Sequence, residues 1–314
     1  MDISKFPTLD PELAPLVEFL PDTSTSFDDI AAAREGIALM MPTGVMPGED
    51  SLDIAAAVAP GDVPVRVYRP SGATGDLPGL LYIHGGGFCV GSMELEHAGA
   101  VQVASALGVV VVNVDYRLAP EHPYPAGLDD CVAAFAFLAG LEGVDPERLG
   151  VHGQSAGGGL AAAVALRVRD GDGGGARLCF QSLGIPEVDD RLDTPSMKAF
   201  VDTPFWSRPQ AVLSWRHYLG GAPADGYAAP ARMGDLSGLP PAYITTMELD
   251  PLRDEGIRYA MALMAAGVSV ELHSFPGTFH GSAMVTDAAV SVRMAKELLG
   301  ALRRGLRVSS LTSP

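Results

Sequence analysis

Short apolar runs rich in β-branched residues alternate with longer alanine- and leucine-rich segments from residue 64 onward. The runs have the length of buried strands and the segments have the length of helices, so the pattern predicts a parallel α/β sheet covered by helices on both faces. The predicted strands are 64–70, 79–84, 109–114, 148–153, 177–183, 241–247 and 268–274. The predicted helices lie near 96–107, 126–141, 156–169, 252–266 and 284–304.

The beginning of this pattern has a different character. A further apolar run at 53–59 is separated from the run at 64–70 by Pro60, Gly61 and Asp62. These are turn residues, and two runs joined by so short a turn predict an antiparallel hairpin at one edge of the sheet.

Two segments fall outside the alternation. Within residues 1–45 we predict one helix, Phe27–Met41, with Ser26 and Asp29 as a capping pair. Residues 186–236 are rich in proline, aspartate and aromatic side chains. Neither segment could form a core alone, so we expect both to cover one end of the sheet.

This interpretation divides the chain into four parts. Residues 1–45 form the N-terminal part of a cap and residues 186–236 form a cap insertion. Residues 46–185 and 237–314 form the two parts of the α/β domain. In open α/β sheets ligands bind at the carboxyl ends of the strands, which is the end we expect the cap to cover.

Charge and composition narrow the possible partners. The formal net charge of -17 disfavours nucleic acid, which is a polyanion. No run of 18 apolar residues predicts a membrane span, and the start of the chain resembles no targeting sequence, so we predict a cytoplasmic protein. Cys89, Cys131 and Cys179 are too far apart for a CxxC site and are predicted to be buried thiols.

The stretch GVHGQSAGGGLAA, residues 150–162, places Ser155 between Gly153 and Gly157. A predicted strand leads into the serine and a predicted helix leads away, and side chains two positions before and after so abrupt a reversal would collide. The two glycines remove the collisions and predict a nucleophile elbow, which raises the serine hydroxyl above the sheet. Taken alone, the motif is also compatible with a plain glycine-rich turn.

A second glycine-rich stretch, HGGGFCVGS, follows the predicted strand 79–84. Consecutive glycines let the backbone approach a ligand and direct N–H groups at it, as an oxyanion hole requires. Gly86 and Gly87 are the predicted donors, with the N–H of Ala156 as a third, and His84 is predicted to hold the loop by hydrogen bonds. A phosphate loop is disfavoured because the lysine and the GKS/T ending are missing.

A serine hydroxyl needs a base to become a nucleophile, and His280 has the most suitable position among the seven histidines. It lies in FPGTFHGS, which we interpret as a short loop after the last strand, between Gly277 and Gly281. His273 falls inside that strand and is predicted to be structural. We therefore expect the imidazole of His280 to reach Ser155.

The acid that orients this histidine is expected at the end of the preceding strand, in PAYITTMELDPLRDEG. Asp250 is favoured because it directly precedes Pro251, which we take as the start of the next helix. Glu248 remains the alternative. Asp254 and Glu255 are expected on the solvated face of the helix.

Five motifs, taken together and in this order, resemble those of the hormone-sensitive-lipase family of α/β-hydrolases. They are HGGGF at 84–88, DYRLAPEHPYPA at 115–126, GQSAGG at 153–158, DPLRDEG at 250–256 and FHG at 279–281. The resemblance spans about residues 65–305 and extends to the bacterial heroin esterase branch. It implies an α/β-hydrolase fold with a helical cap. It also implies a serine carboxylesterase that hydrolyses short-chain acyl esters through an acyl-enzyme, without metal or cofactor.

The chain departs from the family at Gln154, where members usually carry an acidic residue, and the effect of this change is left open. The motif at 115–126 is assigned a structural role, in which Asp115, Arg117 and Glu121 pair locally and order the loop.

Aromatic side chains near the motifs or in the cap segment are the candidates for binding a small-molecule ester. Phe88 and Phe279 adjoin the motifs, and Phe205 and Trp206 lie in the cap segment. An amidase or a lipase on the same three residues remains an alternative, as does a non-catalytic ligand-binding module. A homodimer through the last helix is also left open.

Overall fold

The computed structural model describes residues 3–20, 26–39 and 44–308. In this part of the chain eight strands form one sheet, in the order β1-β2-β4-β3-β5-β6-β7-β8. The strands are β1 (Leu52–Ala59), β2 (Val63–Pro70), β3 (Leu77–Ile83), β4 (Val110–Val114), β5 (Val144–Gln154), β6 (Phe180–Gly184), β7 (Ala242–Leu249) and β8 (Val270–Phe279).

Strand β2 pairs antiparallel with β1 and with β4, and the remaining neighbours are parallel. The hairpin predicted at the sheet edge is therefore confirmed. The helices are α1 (Ala14–Phe19), α2 (Ile30–Leu39), α3 (His97–Leu107), α4 (Ala126–Ala139), α5 (Ala156–Arg167), α6 (Pro195–Ala199), α7 (Arg208–Leu219), α8 (Arg253–Ala265) and α9 (Ala289–Gly305).

The sheet is buried on both faces because successive side chains of β3 enter two different hydrophobic clusters. Leu81 packs with residues of α4, α5 and α8, whereas Leu80 packs with residues of α3 and α9. All five residues of β4 are buried. The expectation of a mostly parallel sheet with helices on both faces is confirmed.

Two boundaries differ from the sequence prediction in a way that matters for the site. Strand β8 runs on to Phe279, so that His280 directly follows the strand instead of lying in a separate loop. The last helix begins at Ala289, after a short turn at Ser282–Met284, and not at 284.

The helix predicted over Phe27–Met41 is shorter, with a single turn at Ser26–Asp28 followed by α2. The Asp29 carboxylate accepts the N–H of Ala32 at 3.1 Å, so Asp29 is itself the N-cap of α2 and not the third helical residue of a capping pair with Ser26. Met41 and the side chain of Ser26 lie outside the described residues.

The two ends of the predicted N-terminal cap segment pack in different places. Phe6 and Leu13 belong to a buried cluster with Phe279, at the carboxyl ends of β7 and β8. Phe27 belongs to another buried cluster, which contains Trp206 of the predicted cap insertion. None of the helices in residues 3–20, 26–39 and 44–308 combines the length and the apolar content needed to cross a membrane.

Candidate active site

Ser155 is the single residue between β5 and α5, and its backbone is strained. Its φ of 57° and ψ of -124° lie in a region that residues with a side chain rarely adopt. A Cβ on Gly153 would lie 2.1 Å from the carbonyl oxygen of Gly157, and one on Gly157 would lie 2.3 Å from that of Ile83. The role predicted for the two glycines is therefore confirmed.

Three of the predicted side chains meet at this elbow. The Nε2 atom of His280 lies 2.9 Å from the Oγ atom of Ser155, and its Nδ1 atom lies 2.7 Å from Oδ2 of Asp250. A carboxylate can only accept, so Nδ1 carries the hydrogen and Nε2 is left to accept the serine proton. The second oxygen of Asp250 accepts the N–H of Leu252 at 2.9 Å.

The sheet register explains why Asp250 and His280 meet. Leu249 is the last residue of β7 and Phe279 is the last of β8, and these two residues are paired. The next residue of each strand therefore emerges at the same edge of the sheet. All three side chains are largely buried, with exposures of 7% for Ser155, 4% for His280 and 0% for Asp250.

The alternative candidates have other partners. Glu248 accepts the N–H of Gly277 at 2.7 Å and so ties the ends of β7 and β8 together. His273 pairs with Glu297 of α9 and with Glu271 of its own strand, as expected for a structural histidine. Neither side chain is among the contacts of Ser155.

The expectation that Glu255 lies on a solvated helix face is wrong. This side chain is 1% exposed, and its Oε1 atom accepts the N–H groups of Val188 at 2.8 Å and Asp189 at 3.2 Å. Burial raises the pKa of its carboxyl group well above the ordinary range. Asp254 is half-buried, accepts the N–H of Ser196 and pairs with Arg253.

The glycine loop after β3 lies beside the elbow because Ile83 of β3 pairs with Gly153 of β5. Gly86 has a φ of +117°, and a Cβ there would lie 2.1 Å from the carbonyl oxygen of Val90. Gly87 has a φ of +54°. Ala156 is the first residue of α5, where backbone N–H groups have no acceptor within the helix.

His84 holds this loop in the predicted way. Its Nδ1 atom lies 2.7 Å from the carbonyl oxygen of Gly85, and its ring stacks on Tyr116 with the centroids 4.1 Å apart. The hydroxyl of Tyr116 donates to the carbonyl of His84. Burial lowers the pKa of His84 to about 4, so that the ring is neutral at pH 7.

The expectation that Asp115, Arg117 and Glu121 pair locally is wrong. Arg117 pairs with Asp130 of α4 at 2.7 Å, and Asp115 accepts the N–H of Met93. Glu121 pairs instead with Arg34. These partners lie in other elements, which a local motif does not reveal.

Arg34 of α2 contacts the glycine loop, and the sequence did not predict this contact. Its Nε atom donates to the carbonyl of Cys89 at 2.9 Å, and its terminal nitrogens contact both oxygens of Glu121. The N-terminal helix is thereby joined to the glycine loop. Nothing in the sequence near Arg34 signals this role.

Two of the four predicted substrate-binding aromatics lie beside the three side chains that meet at the nucleophile elbow. The ring of Trp206 is 5.7 Å from that of His280, and a Cβ on Gly87 would lie 2.7 Å from the Trp206 ring. A Cβ on Gly281 would lie 2.7 Å from the ring of Phe205. Phe27, which was not predicted here, packs edge-on against Trp206 with the centroids 5.3 Å apart.

The other two aromatics are buried inside hydrophobic clusters. Phe88 is 2% exposed and stacks on Tyr218 of α7, with the centroids 3.9 Å apart. Phe279 is fully buried beneath the N-terminal segment. Across residues 3–20, 26–39 and 44–308, no three His, Cys, Asp or Glu side chains gather in a group that could hold a metal ion.

Comparison with known proteins identifies the family. The family model described as alpha/beta hydrolase fold matches residues 80–284, which is more than half of the chain. The chain is an α/β-hydrolase. This hydrolase is 40% identical over 324 aligned positions to carboxylesterase NlhH of Mycobacterium tuberculosis, with 96% of this chain and 97% of the relative covered. It is 38% identical to esterase LipI of the same species, with 88% of each chain covered.

A solved structure, bacterial heroin esterase, superposes on the hydrolase with a TM-score of 0.91 and 50% identity, covering 96% of this chain and 99% of that one. The predicted fold class and the resemblance to the hormone-sensitive-lipase family are confirmed. The hydrolase is a serine ester hydrolase, as the motifs predicted.

Proposed function

We propose that the hydrolase cleaves short-chain acyl esters of small alcohols through an acyl-enzyme formed on Ser155. The observation that carries this proposal is the single imidazole that bridges the Ser155 hydroxyl and the Asp250 carboxylate. NlhH and LipI are named as esterases, which supports an ester substrate over an amide.

In the first half of the reaction Ser155 Oγ attacks the ester carbonyl while Nε2 of His280 takes its proton. The C–Oγ bond forms and the carbonyl oxygen becomes an oxyanion. As the oxyanion reverts to a carbonyl, the C–O bond to the alcohol breaks, and His280 returns the proton to that oxygen. Asp250 holds Nδ1–H and stabilises the imidazolium. In the second half His280 takes a proton from water, and the water oxygen attacks the acyl carbonyl. The bond to Ser155 Oγ then breaks, His280 returns the proton to Oγ, and the acid is released.

We assign the oxyanion to the N–H groups of Gly86, Gly87 and Ala156. The positive φ of Gly86 and Gly87 and the position of Ala156 at the start of α5 support this assignment. Such donors act only where charge develops, so each is expected to raise the rate of the chemical step more than it tightens substrate binding.

We propose that Phe205 and Trp206 line the substrate and that Phe88 and Phe279 act as buried walls behind it. The contact of Trp206 with Gly87 and His280 leaves little room beside the oxyanion site, which favours a short acyl chain. In this interpretation residues 1–45, with α1 and α2, and residues 186–236, with α6 and α7, form the cap.

The test compares p-nitrophenyl esters of increasing chain length with p-nitroacetanilide, using wild type, Ser155→Ala and Ser182→Ala. Ser182 is a matched control because its hydroxyl contacts another buried imidazole, that of His152, at 2.9 Å. We expect wild type to prefer the acetyl and butyryl esters. Ser155→Ala is expected to lower kcat by at least about 10⁴-fold, and Ser182→Ala is expected to retain it.

Faster cleavage of the anilide than of the acetyl ester would replace the esterase proposal with an amidase. A preference for the longest chains would favour a lipase. Full activity of Ser155→Ala would remove the serine from its role.

A further inference from the structure

Glu187 is a fully buried carboxyl group that the proposed reaction does not use. It lies in the loop after β6, and its backbone N–H donates to the carbonyl of Ser155 at 3.1 Å. Its own carbonyl oxygen lies 2.1 Å from the position that a Cβ on Gly159 would occupy. The backbone of Glu187 is therefore packed directly against the nucleophile elbow.

The side chain of Glu187 reaches the glycine loop through Ser214 of α7. The Oγ atom of Ser214 lies 3.1 Å from Oε1 of Glu187 and 2.9 Å from the carbonyl oxygen of Gly87. Ser214 is itself fully buried. Its hydroxyl thus stands between a carboxyl group and the loop that carries Gly86 and Gly87.

The number of hydrogens available decides which of these contacts of Ser214 can be hydrogen bonds. A serine hydroxyl has one hydrogen, and it cannot donate to the Gly87 carbonyl and to an ionised Glu187 at the same time. A protonated Glu187 solves this problem, because its O–H donates to Ser214 Oγ while the Ser214 hydrogen goes to Gly87. Both contacts are then hydrogen bonds.

The surroundings of Glu187 favour the protonated form. No Lys, Arg or His in the described ranges forms an ion pair with it, and its Oε2 atom is buried without a hydrogen-bond partner there. In the described part of the chain the titratable groups that face it are acids: Asp250 after β7, Glu255 of α8, Cys89 of the glycine loop and the phenol of Tyr116 after β4.

We propose that protonated Glu187 and Ser214 are positioning residues, which hold the oxyanion loop through the chain Glu187 O–H to Ser214 Oγ–H to the Gly87 carbonyl. This inference rests on the proposed function, since it assigns a support to the oxyanion site of that reaction. A fixed Gly87–Phe88 peptide keeps the adjacent N–H of Gly87 in place before charge develops. Because Ser214 lies on α7, the same bonds join the cap to the loop.

The pKa of Glu187 agrees with this arrangement. Burial, with a smaller contribution from the charge of Asp250, raises it to about 8. Glu187 is therefore mostly protonated at pH 7 and ionises as the pH rises through about 8, where it would compete with Gly87 for the Ser214 hydrogen.

The test measures kcat, KM and inhibition by trifluoroacetophenone in wild type, Ser214→Ala, Glu187→Leu and Glu187→Gln. The ketone adds Ser155 Oγ at its carbonyl carbon, its oxygen becomes the oxyanion, and His280 takes the serine proton. We expect Ser214→Ala and Glu187→Leu to lower kcat and ketone affinity by about 10-fold each, less than the 10²–10³-fold typical of losing a donor, with KM little changed. Glu187→Gln should keep both within a few-fold of wild type, because its amide N–H still donates to Ser214.

The pH profile separates positioning from simple packing. Wild-type kcat is expected to fall as the pH rises through about 8, the pKa of Glu187, and Glu187→Gln is expected to lack that fall. Ser291→Ala is the control, since Ser291 is a buried serine of α9 whose hydroxyl has no hydrogen-bond partner among the described residues. Thermal unfolding confirms that each variant folds.

Wild-type kcat and ketone affinity in Ser214→Ala would overturn the inference. So would a Glu187→Gln variant as impaired as Glu187→Leu, because the ionised form would then be required. Failure of the proposed function looks different: Ser155→Ala would keep its turnover, whatever the result at Ser214.

Discussion

Two buried carboxyl groups flank the nucleophile elbow, and they differ in their partners. Asp250 receives hydrogen bonds from the His280 ring and from the Leu252 N–H. Glu187 contacts one hydroxyl, and its second oxygen has no partner in the described structure. Both side chains are fully buried. The comparison teaches that two acids buried to the same depth serve different roles according to their partners: Asp250 accepts a hydrogen bond on each oxygen, as a carboxylate that orients an imidazole must, whereas Glu187 has one oxygen without a partner.

Replacing each of the two carboxyl groups by an amide is expected to give the largest difference in kcat. Asp250→Asn is expected to lower kcat by about 10⁴-fold, because an amide does not hold His280 in the tautomer that accepts the serine proton. Glu187→Gln removes a carboxyl group at the same depth but keeps the donor to Ser214. We expect it to cost only a few-fold at pH 7, measured with p-nitrophenyl acetate. Equal losses at the two positions would end the distinction between them.

Activity should depend on the backbone conformation of the glycine loop as well as on the hydrogen bonds that hold the loop. Gly86→Ala would place a Cβ within 2.1 Å of the Val90 carbonyl and displace the loop, and kcat is expected to fall by about 10²–10³-fold. The control is Gly61→Ala, because Gly61 also has a positive φ but its Cβ would meet nothing within 4 Å. A Gly86→Ala variant with the activity of Gly61→Ala would contradict the oxyanion assignment.

The smallest expected effect is on stability. In the folded chain Glu187 keeps its proton up to about pH 8, whereas an unfolded glutamate releases it near pH 4.3. The contribution of this group to stability is therefore fully present below about pH 4.3 and is lost as the pH rises through about 8. Glu187→Gln should gain on wild type over that range, by about 6 °C in Tm at pH 7.5. An equal Tm difference at pH 4.5 and pH 7.5 would mean that Glu187 does not bind a proton in the folded state.

The sequence predicts those parts of the site that depend on local rules. Gly153, Ser155 and Gly157 show the elbow directly, since two glycines are needed wherever a strand turns so sharply into a helix. Asp250 and His280 follow from the rule that parallel strands end at one edge of the sheet. The α/β alternation, interpreted from buried runs and helical segments, predicts the eight strands and their mostly parallel pairing but not the order of the strands in the sheet.

What the sequence misses depends on contacts between distant segments. Glu255 is buried because the loop at Val188 and Asp189 folds back onto α8, and a helical charge pattern does not reveal this. The contact between Arg34 and Glu121 joins residues 87 positions apart. The Ser214 contact with Gly87 spans 127 positions, so no local motif marks it.

The most direct test of the account is the site that a fluorophosphonate probe labels. Mass spectrometry of the labelled wild type should find one adduct, on Ser155, and labelling should be lost in Ser155→Ala and strongly slowed in His280→Ala. Labelling of a different serine, or an unlabelled enzyme that still hydrolyses p-nitrophenyl acetate, would contradict the assignment of Ser155 as the nucleophile.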